Sequence, residues 1–238
     1  MNLTVVIPTY NEKDTLPSLV EDLVNQLKKI TQKFSIVIMD DASPDGTGEI
    51  AENLNKQYGN ITVIHRKTKL GLGSAYKEGF KLAIDRFEPD FIVQMDADHS
   101  HSPEEIPQMI QRIQGYDFVI ASRHVPGSSI IGWGPYRKAL HSTAGLLASM
   151  CGGIKISDPT SGFRIFKREV LDSVDFSKLK SDGFAFQIEL LCFLKKMGYK
   201  GLESPTRFVN RHEGKSKMGI NESFQFVKTC FLLLARRV

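Results

Sequence analysis

The sequence predicts an α/β fold, a mostly parallel sheet flanked by helices, built as one domain over all 238 residues. Three observations carry this. Short apolar runs alternate with stretches whose apolar residues recur at helical spacing. The runs are β-branched and almost uninterrupted by polar residues, as in strands buried on both faces. Two of them stop at carboxylates, Asp40-Asp41 and Asp96-Ala-Asp98, in the place beyond strand carboxyl ends where open α/β sheets bind ligands.

Leu3 to Ile7 forms the first strand, ended by Pro8, which has no N–H for the ladder. After a polar turn, Leu16, Leu19, Val20, Leu23, Val24, Leu27 and Ile30 fall on one helix face, with Pro17 in the first turn. Phe34 to Met39 is a second strand, followed by a turn ending at Gly46 and a helix to Tyr58. Ile61 to His65 is a third. Leu70-Gly-Leu-Gly-Ser opens a helix to Phe87 whose first N–H groups are placed to face an anion. Neither G-x-G-x-x-G nor G-x-x-x-x-G-K-[ST] occurs. The fourth strand, Phe91 to Met95, delivers Asp96 and Asp98. Two carboxylates so close need water or a cation, and a hard divalent ion carrying phosphates satisfies both; a polar turn capping the strand is the alternative. Parallel pairing brings Pro8–Tyr10, Asp40-Asp41 and Asp96–Asp98 to one rim.

In the second half, Pro103 to Ile113 reads as a helix with Glu104 and Glu105 at its positive end. Asp117 to Ser122 is a strand delivering Arg123. Residues 126–133 read as a loop, either a connector or a lid. Arg137 and Lys138 precede a helix from Ala139 to Met150. Residues 157–166 form a turn into a short strand, in which Asp158 and Arg164 are expected to pair. Phe184 opens a helix burying Phe186, Leu190 and Phe193, and residues 209–217 form a basic loop. Ile220, Phe224, Val227, Phe231 and Leu234 mark one face of a last, amphipathic helix ending in Arg236-Arg237. That face suits docking on the core, a dimer contact, or the interface of a membrane.

Composition excludes little by itself. With 31 Lys+Arg against 27 Asp+Glu, charge does not point to nucleic acid. Cys151, Cys192 and Cys230 lack metal or redox spacing and read as buried thiols in a reducing compartment. No secretory leader is evident, and no apolar stretch reaches the roughly 18 residues of a membrane span. The expectation is a soluble or peripheral protein.

Val6-Ile-Pro-Thr-Tyr-Asn-Glu12, Asp40-Asp-Ala-Ser-Pro-Asp-Gly-Thr47 and Met95-Asp-Ala-Asp98 resemble the three N-terminal signatures of family 2 glycosyltransferases of the GT-A fold. The Asp-Ala-Asp segment with residues 99–105, His-Ser-His-Ser-Pro-Glu-Glu, is similar to the polyprenol (dolichol) phosphate mannose synthases, as is Asp158-Pro-Thr-Ser-Gly-Phe-Arg164. The resemblance implies inverting transfer of mannose from GDP-mannose to a polyprenyl monophosphate. It implies Mg²⁺ or Mn²⁺ on Asp96, Asp98 and Ser100, the last standing where relatives often present Gln. It further implies a nucleotide-sugar pocket from Pro8, Tyr10, Glu12, Met39 through its backbone, Asp41 and Ala97, with Arg211 and Lys217 over the diphosphate. Arg123 and Arg137 would meet the acceptor phosphate, Arg123 also bordering the donor, and Asp98, Arg123 and Arg137 would carry catalysis. His141 departs from the Ser common in relatives. Gln187 and Glu189 stand near where many family members place a base, but an acceptor phosphate is already an anion and needs none.

On this basis residues 1–122 form a nucleotide-binding half, 123–217 an acceptor and diphosphate half, and 218–238 the amphipathic helix. The implied setting is the cytosolic face of a membrane, with an anchoring partner subunit or a transmembrane segment outside this sequence, and no nucleic-acid partner. A UDP-glucose or UDP-N-acetylglucosamine type of donor and a non-catalytic nucleotide- or lipid-binding module stay open. A sugar-nucleotide pyrophosphorylase fits less well, because Pro8-Thr-Tyr-Asn-Glu12 stands where its Gly-rich basic loop belongs.

Overall fold

The computed structural model describes residues 1–210 and 220–235. β1 (Asn2–Thr9) pairs parallel with β2 (Lys33–Asp40) and with β4 (Phe91–Gln94), while β3 (Ile61–His65) lies outside β2. Residues 3–9 are buried along the whole of β1, because helices cover both faces and leave no solvent side to demand alternation. On one face pack α1 (Leu16–Ile30), α2 (Thr47–Tyr58) and α4 (Ile106–Arg112), through side chains such as Leu19, Leu23, Ala51 and Met109. On the other pack α3 (Leu72–Phe87), α5 (Pro135–Gly152), α6 (Arg168–Asp172), α7 (Phe186–Lys196) and α8 (Ile220–Ala235).

The sheet continues through β7 (Arg164–Lys167), β5 (Phe118–Ser122) and β8 (Gly201–Pro205), giving the order β3-β2-β1-β4-β7-β5-β8. β7 alone runs antiparallel, wedged between β4 and β5 with Arg164 opposite both Gln94 and Ile120. The first residue of β7 therefore lies beside the last of β4, so the turn before β7 must reach the ligand-binding rim.

Several expectations need correction. The segment 126–133 is not a free loop, since β6 (Ser129–Ile131) pairs parallel with β9 (Arg207–Val209) in a separate small sheet. α5 starts at Pro135, a proline suited to a first helical turn, so Arg137 and Lys138 belong to the helix. The stretch from Pro103 splits into a 3-10 turn, capped by the Ser102 hydroxyl on the Glu104 N–H (3.3 Å), and the short α4. On α8 the inward stripe is Phe226, Cys230 and Leu233, at helical spacing, whereas Val227 and Phe231 are exposed. The side chains of Ile220, Phe224 and Leu234, and residues 236–237, lie outside what is described. All three cysteines are buried free thiols, from α5, α7 and α8.

Helix α3 lies close against the centre of the sheet, and Gly79 permits it: a Cβ there would sit 2.5 Å from Val6 Cγ1 and 3.1 Å from Met39 Cγ. Ala is normally the better helix residue by about 1 kcal/mol, yet Gly79→Ala is expected to destabilise by about 1–3 kcal/mol through overpacking. Urea unfolding of Gly79→Ala, alone and with Val6→Ala, measures this; the second substitution should recover most of the loss.

Candidate active site

Because β1, β2 and β4 run parallel, their carboxyl ends open onto one rim. Each loop leaving it holds a non-glycine residue in the left-handed region: Asn11 at φ 55°, Ala42 at 59° and His99 at 56°. For an ordinary L-residue such as Ala42 this costs roughly 1–2 kcal/mol, and strain of this kind gathers at functional sites. Cross-links hold the loops in place. The Asp41 N–H donates to the Thr9 carbonyl (2.9 Å), the Asn11 N–H to Ser43 Oγ (3.1 Å), and the Glu12 N–H to Thr47 Oγ1 (2.9 Å).

Within this rim, Pro8 and Met39 are buried strand residues, while Tyr10 is half-buried beneath the Lys69 ammonium, 3.7 Å from its ring centre. Glu12 accepts a hydrogen bond from the Thr15 hydroxyl (3.1 Å). Asp41 is buried and clamps the loop entering α3: Oδ1 accepts from Arg66 Nη1 (2.6 Å) and the Leu70 N–H (2.9 Å), and Oδ2 from the Gly71 N–H (2.8 Å). The N–H groups of Gly73 and Ser74 donate to the Asp182 carbonyl. The expectation that this helix start awaits an external anion is thus overturned, because the protein's own carboxylate and carbonyl occupy it.

Asp96 accepts from the Tyr76 hydroxyl (3.1 Å). Burial, then the neighbouring Asp96, pushes the Tyr76 phenol well above its ordinary range, so it remains a donor. Gly162 lies against the same carboxylate, where a Cβ would stand 2.7 Å from Asp96 Oδ2. Asp98 is buried and accepts from the Ser100 N–H (3.0 Å); Ser100 is buried too, its carbonyl taking the Val209 N–H (3.2 Å), and Ala97 is buried between the two acids. His101 is enclosed between Phe163 and Phe208, and burial, then the Arg123 charge, lowers its pKa to about 4. Among the described residues no third His, Cys, Asp or Glu closes on Asp96 and Asp98. The result is an all-oxygen donor pair, chemically fitted to a hard divalent cation.

The turn before β7 is held from inside. Arg164 is wholly buried and donates through Nε to the Ser161 carbonyl (2.8 Å), Nη1 to Gln187 (2.9 Å) and Nη2 to Pro159 (2.8 Å). Burial lowers its pKa to about 9, which leaves it a cation at neutral pH. The expected Asp158–Arg164 pair is therefore absent. Asp158 pairs instead with Arg123 at the end of β5, by Nε to Oδ2 (2.7 Å), Nη2 to Oδ1 (2.7 Å) and the Arg123 N–H to Oδ2 (3.0 Å). Burial favours the neutral acid, but the Arg123 charge and its hydrogen bonds outweigh that and hold Asp158 well below the usual carboxylate range.

Arg123 and Arg137 are brought together by Trp133, whose ring centre lies 5.7 Å from one guanidinium carbon and 4.5 Å from the other. Arg137 also donates to Asn210 Oδ1 (3.0 Å). His124 and His141 adjoin them, with Nε2 to Nδ1 at 3.3 Å, and the other nitrogen of His141 is 3.0 Å from Thr160 Oγ1. One ligand atom each of His124, His141 and Asp158 lies within 4.8 Å of the others. Sequence reasoning missed Trp133, His124 and Thr160; the one available signal was His141, a helical turn beyond Arg137. Gln187 accepts from Gln94 Nε2 (2.7 Å), and Glu189 accepts from the Lys180 and Ser181 N–H groups (3.0 and 2.7 Å), so both are structural ties. Arg211 and Lys217 lie outside the described residues.

The sequence profile described as glycosyl transferase family 2 matches residues 4–175. The chain belongs to glycosyl transferase family 2. An undecaprenyl-phosphate mannosyltransferase of Micrococcus luteus is 35% identical to this glycosyltransferase over 92% of the chain and 88% of its own length. A polyprenol monophosphomannose synthase of Mycolicibacterium smegmatis is 38% identical over 90% of the chain and 80% of its own length. In fold the glycosyltransferase is similar to glucosyl-3-phosphoglycerate synthase of Mycobacterium tuberculosis, solved with Mn²⁺, UDP and phosphoglyceric acid (TM-score 0.70, 19% identity, 98% of this chain and 78% of that one). It is also similar to a mannosyltransferase of Pyrobaculum calidifontis solved with GDP-Man and Mn²⁺ (TM-score 0.66, 16% identity, 99% and 64%).

The depressed Asp158 value fixes a pH window. The stabilisation it contributes is complete above the unfolded aspartate pKa of about 3.9 and is lost only as pH falls through the lower folded value. At neutral pH, Arg123→Leu strands a buried carboxylate and is expected to cost about 3–5 kcal/mol. Denaturant unfolding of Arg123→Leu against Arg123→Leu/Asp158→Leu checks it, with the double variant the more stable of the two.

Proposed function

We propose that this glycosyltransferase moves mannose from GDP-mannose to a polyprenyl monophosphate, with inversion, to give a β-linked lipid-phosphate sugar. One observation carries the reading: a single turn, residues 158–163, touches the Asp96 carboxylate through Gly162 and the Arg123 guanidinium through Asp158. That proximity supports a reading in which a nucleoside diphosphate at Asp96 and a second phosphate at Arg123 would be bound side by side. The two relatives named for mannosyl transfer to polyprenyl phosphates support the choice of sugar and acceptor.

In this reading Pro8, Tyr10, Glu12, Met39, Asp41 and Ala97 line the nucleotide pocket, Asp41 chiefly by fixing the loop at Leu70-Gly71. Asp96 and Asp98, with Ser100 as a further oxygen, hold Mg²⁺ or Mn²⁺, which when bound supplies positive charge to the leaving diphosphate. Tyr76 keeps Asp96 oriented as a neutral donor. Arg211 and Lys217 are assigned to the same diphosphate. Arg123 and Arg137 hold the acceptor phosphate for in-line attack on the anomeric carbon, where a guanidinium fork suits phosphate oxygens. No general base is required, since the attacking oxygen is anionic, and Glu189, tied to two backbone N–H groups, is not placed as one.

Peripheral membrane association follows from a lipid acceptor, and the cytosolic face and an anchoring subunit or segment belong to the same proposal. No helix among the described residues is long and apolar enough to cross a membrane. Leu146 and Met150 of α5 and Phe231 of α8 are nonetheless exposed, at 61%, 63% and 61%, which supports contact with an apolar phase.

The test is radiolabelled transfer to a short polyprenyl phosphate from a panel of GDP and UDP sugars, with and without chelator. Transfer from GDP-mannose should require a divalent cation and fall by at least about 100-fold in Asp98→Ala; full metal-dependent activity in that variant would refute the assignment. Arg137→Ala should impair acceptor turnover more than donor binding, read by calorimetry with GDP against UDP in Mn²⁺. Equal loss of both would move Arg137 to the donor side.

A further inference from the structure

Among the described residues, the positive charge around Arg123 is already matched by carboxylates. Arg123 is matched by Asp158, on which two arms of its fork close. Behind Asp158, Glu203 of β8 accepts from the Ser157 N–H (2.9 Å), the Ser157 hydroxyl (2.6 Å) and the Asp158 N–H (3.1 Å). Among the described residues Arg123 and Arg137 thus stand against Asp158 and Glu203, two charges of each sign, while the side chains of Trp133, Phe208 and Asn210 beside them are neutral. A phosphate monoester dianion brings two negative charges into this setting.

His124 and His141 are arranged to answer it. Thr160 has one hydroxyl proton, and its Oγ1 lies 3.1 Å from Asp158 Oδ1, 3.2 Å from Arg123 Nη2 and 3.0 Å from His141 Nε2. Donation to the carboxylate leaves Oγ1 to accept from both Arg123 and His141 Nε2–H. Neutral His141 then has a bare Nδ1, which accepts from His124 Nε2–H at 3.3 Å. The chain of donors ends at His124 Nδ1, which makes no hydrogen bond among the described residues. A proton added there creates a cation and a new N–H donor without breaking any bond in the chain. Burial, then Arg123, keeps His141 itself neutral, with a pKa of about 4.

A metal ion is the competing occupant, given three ligand atoms within 4.8 Å. It would have to take Asp158 from Arg123 and sit against that guanidinium, so the same charges that favour an anion oppose a dication.

Resting on the acceptor reading above, we propose that His124 and His141 act as one proton-sharing pair that takes up a proton when a phosphate dianion enters beside Arg123 and Arg137, making them positioning residues for the acceptor. Affinity for the dianion is then full below the pKa of the free pair and falls, by up to about tenfold per unit, as pH rises from there to the higher pKa the pair has in the complex.

The experiment is titration calorimetry of the whole chain with citronellyl phosphate, a soluble short isoprenyl phosphate, near pH 7.5 in buffers of differing ionisation enthalpy. Wild type should take up roughly one proton more per ligand than His124→Asn; His141→Ser, which keeps the titrating nitrogen of His124 but removes its hydrogen-bond acceptor, should take up less than wild type, and both variants should bind with a flatter pH profile. The ligand's own titration is common to all three proteins and cancels in the difference. Equal proton uptake in wild type and His124→Asn, with folding verified by circular dichroism, overturns the pair. Inorganic phosphate is the second probe. If it shows the proton difference while citronellyl phosphate fails to bind, the lipid-acceptor reading falls and the pair stands. If neither probe shows a difference, the pair is refuted.

Discussion

The buried Arg164 guanidinium is the interaction on which the rest of the site depends. A cation with no exposed surface is costly unless its donors are matched, and here three backbone carbonyls, of Pro159, Ser161 and Gln187, match them. Two of those carbonyls belong to the turn entering β7, and the third belongs to α7. Arg164 therefore fixes the shape of the turn and its position over the sheet with one side chain. From that fixed turn, Gly162 reaches the Asp96 carboxylate and Asp158 reaches Arg123. Asp96 and Arg123 follow strands that are not neighbours, β4 and β5; β7, running against the direction of both, bridges them.

The same economy governs the first half of the rim. Asp41 would be an unfavourable buried carboxylate if it merely waited for ligand. It is satisfied by Arg66 and two backbone N–H groups, and through them it sets the loop that starts α3. Strain at Asn11, Ala42 and His99 is tolerated because neighbouring hydrogen bonds over-determine those loops. The rim is pre-shaped, and binding energy from a ligand need not be diverted to ordering it.

Much of this was legible in the sequence. Uniformly apolar strands ending in acids announce a doubly covered parallel sheet with a polar rim, and β1, β2 and β4 fall where those runs lie. The antiparallel direction of β7 was not legible, because a strand of four residues, the first three buried, carries no signal of direction. That one unknown misplaced Asp158: an acid and an arginine six residues apart in a turn read as partners, when strand order sends the acid to β5. Nor could β6 and β9 be read, since three-residue strands that pair only with each other leave no periodicity. The helix start at Leu70 looked open to an anion because its internal anion, Asp41, lies 29 residues earlier in the chain.

Trp133 shows why the cluster around Arg123 and Arg137 was the harder half of the site to read. Its ring lies beside Arg123, Arg137 and His141, three residues whose spacing in sequence means nothing until the aromatic face gathers them. Stacking on an aromatic ring orients a guanidinium without using its N–H groups. Arg137 is consequently held in place while giving, among the described residues, one hydrogen bond to Asn210, whereas Arg123 gives two arms of its fork to Asp158. In the proposed reaction the two arginines would then play unequal parts toward a phosphate. Under that proposal Arg123 would be the fixed wall, keyed to the turn through Asp158, and Arg137 the adaptable arm. Both lie against the Trp133 ring, so the asymmetry follows from what each one bonds, a buried carboxylate for Arg123 and a neutral amide for Arg137.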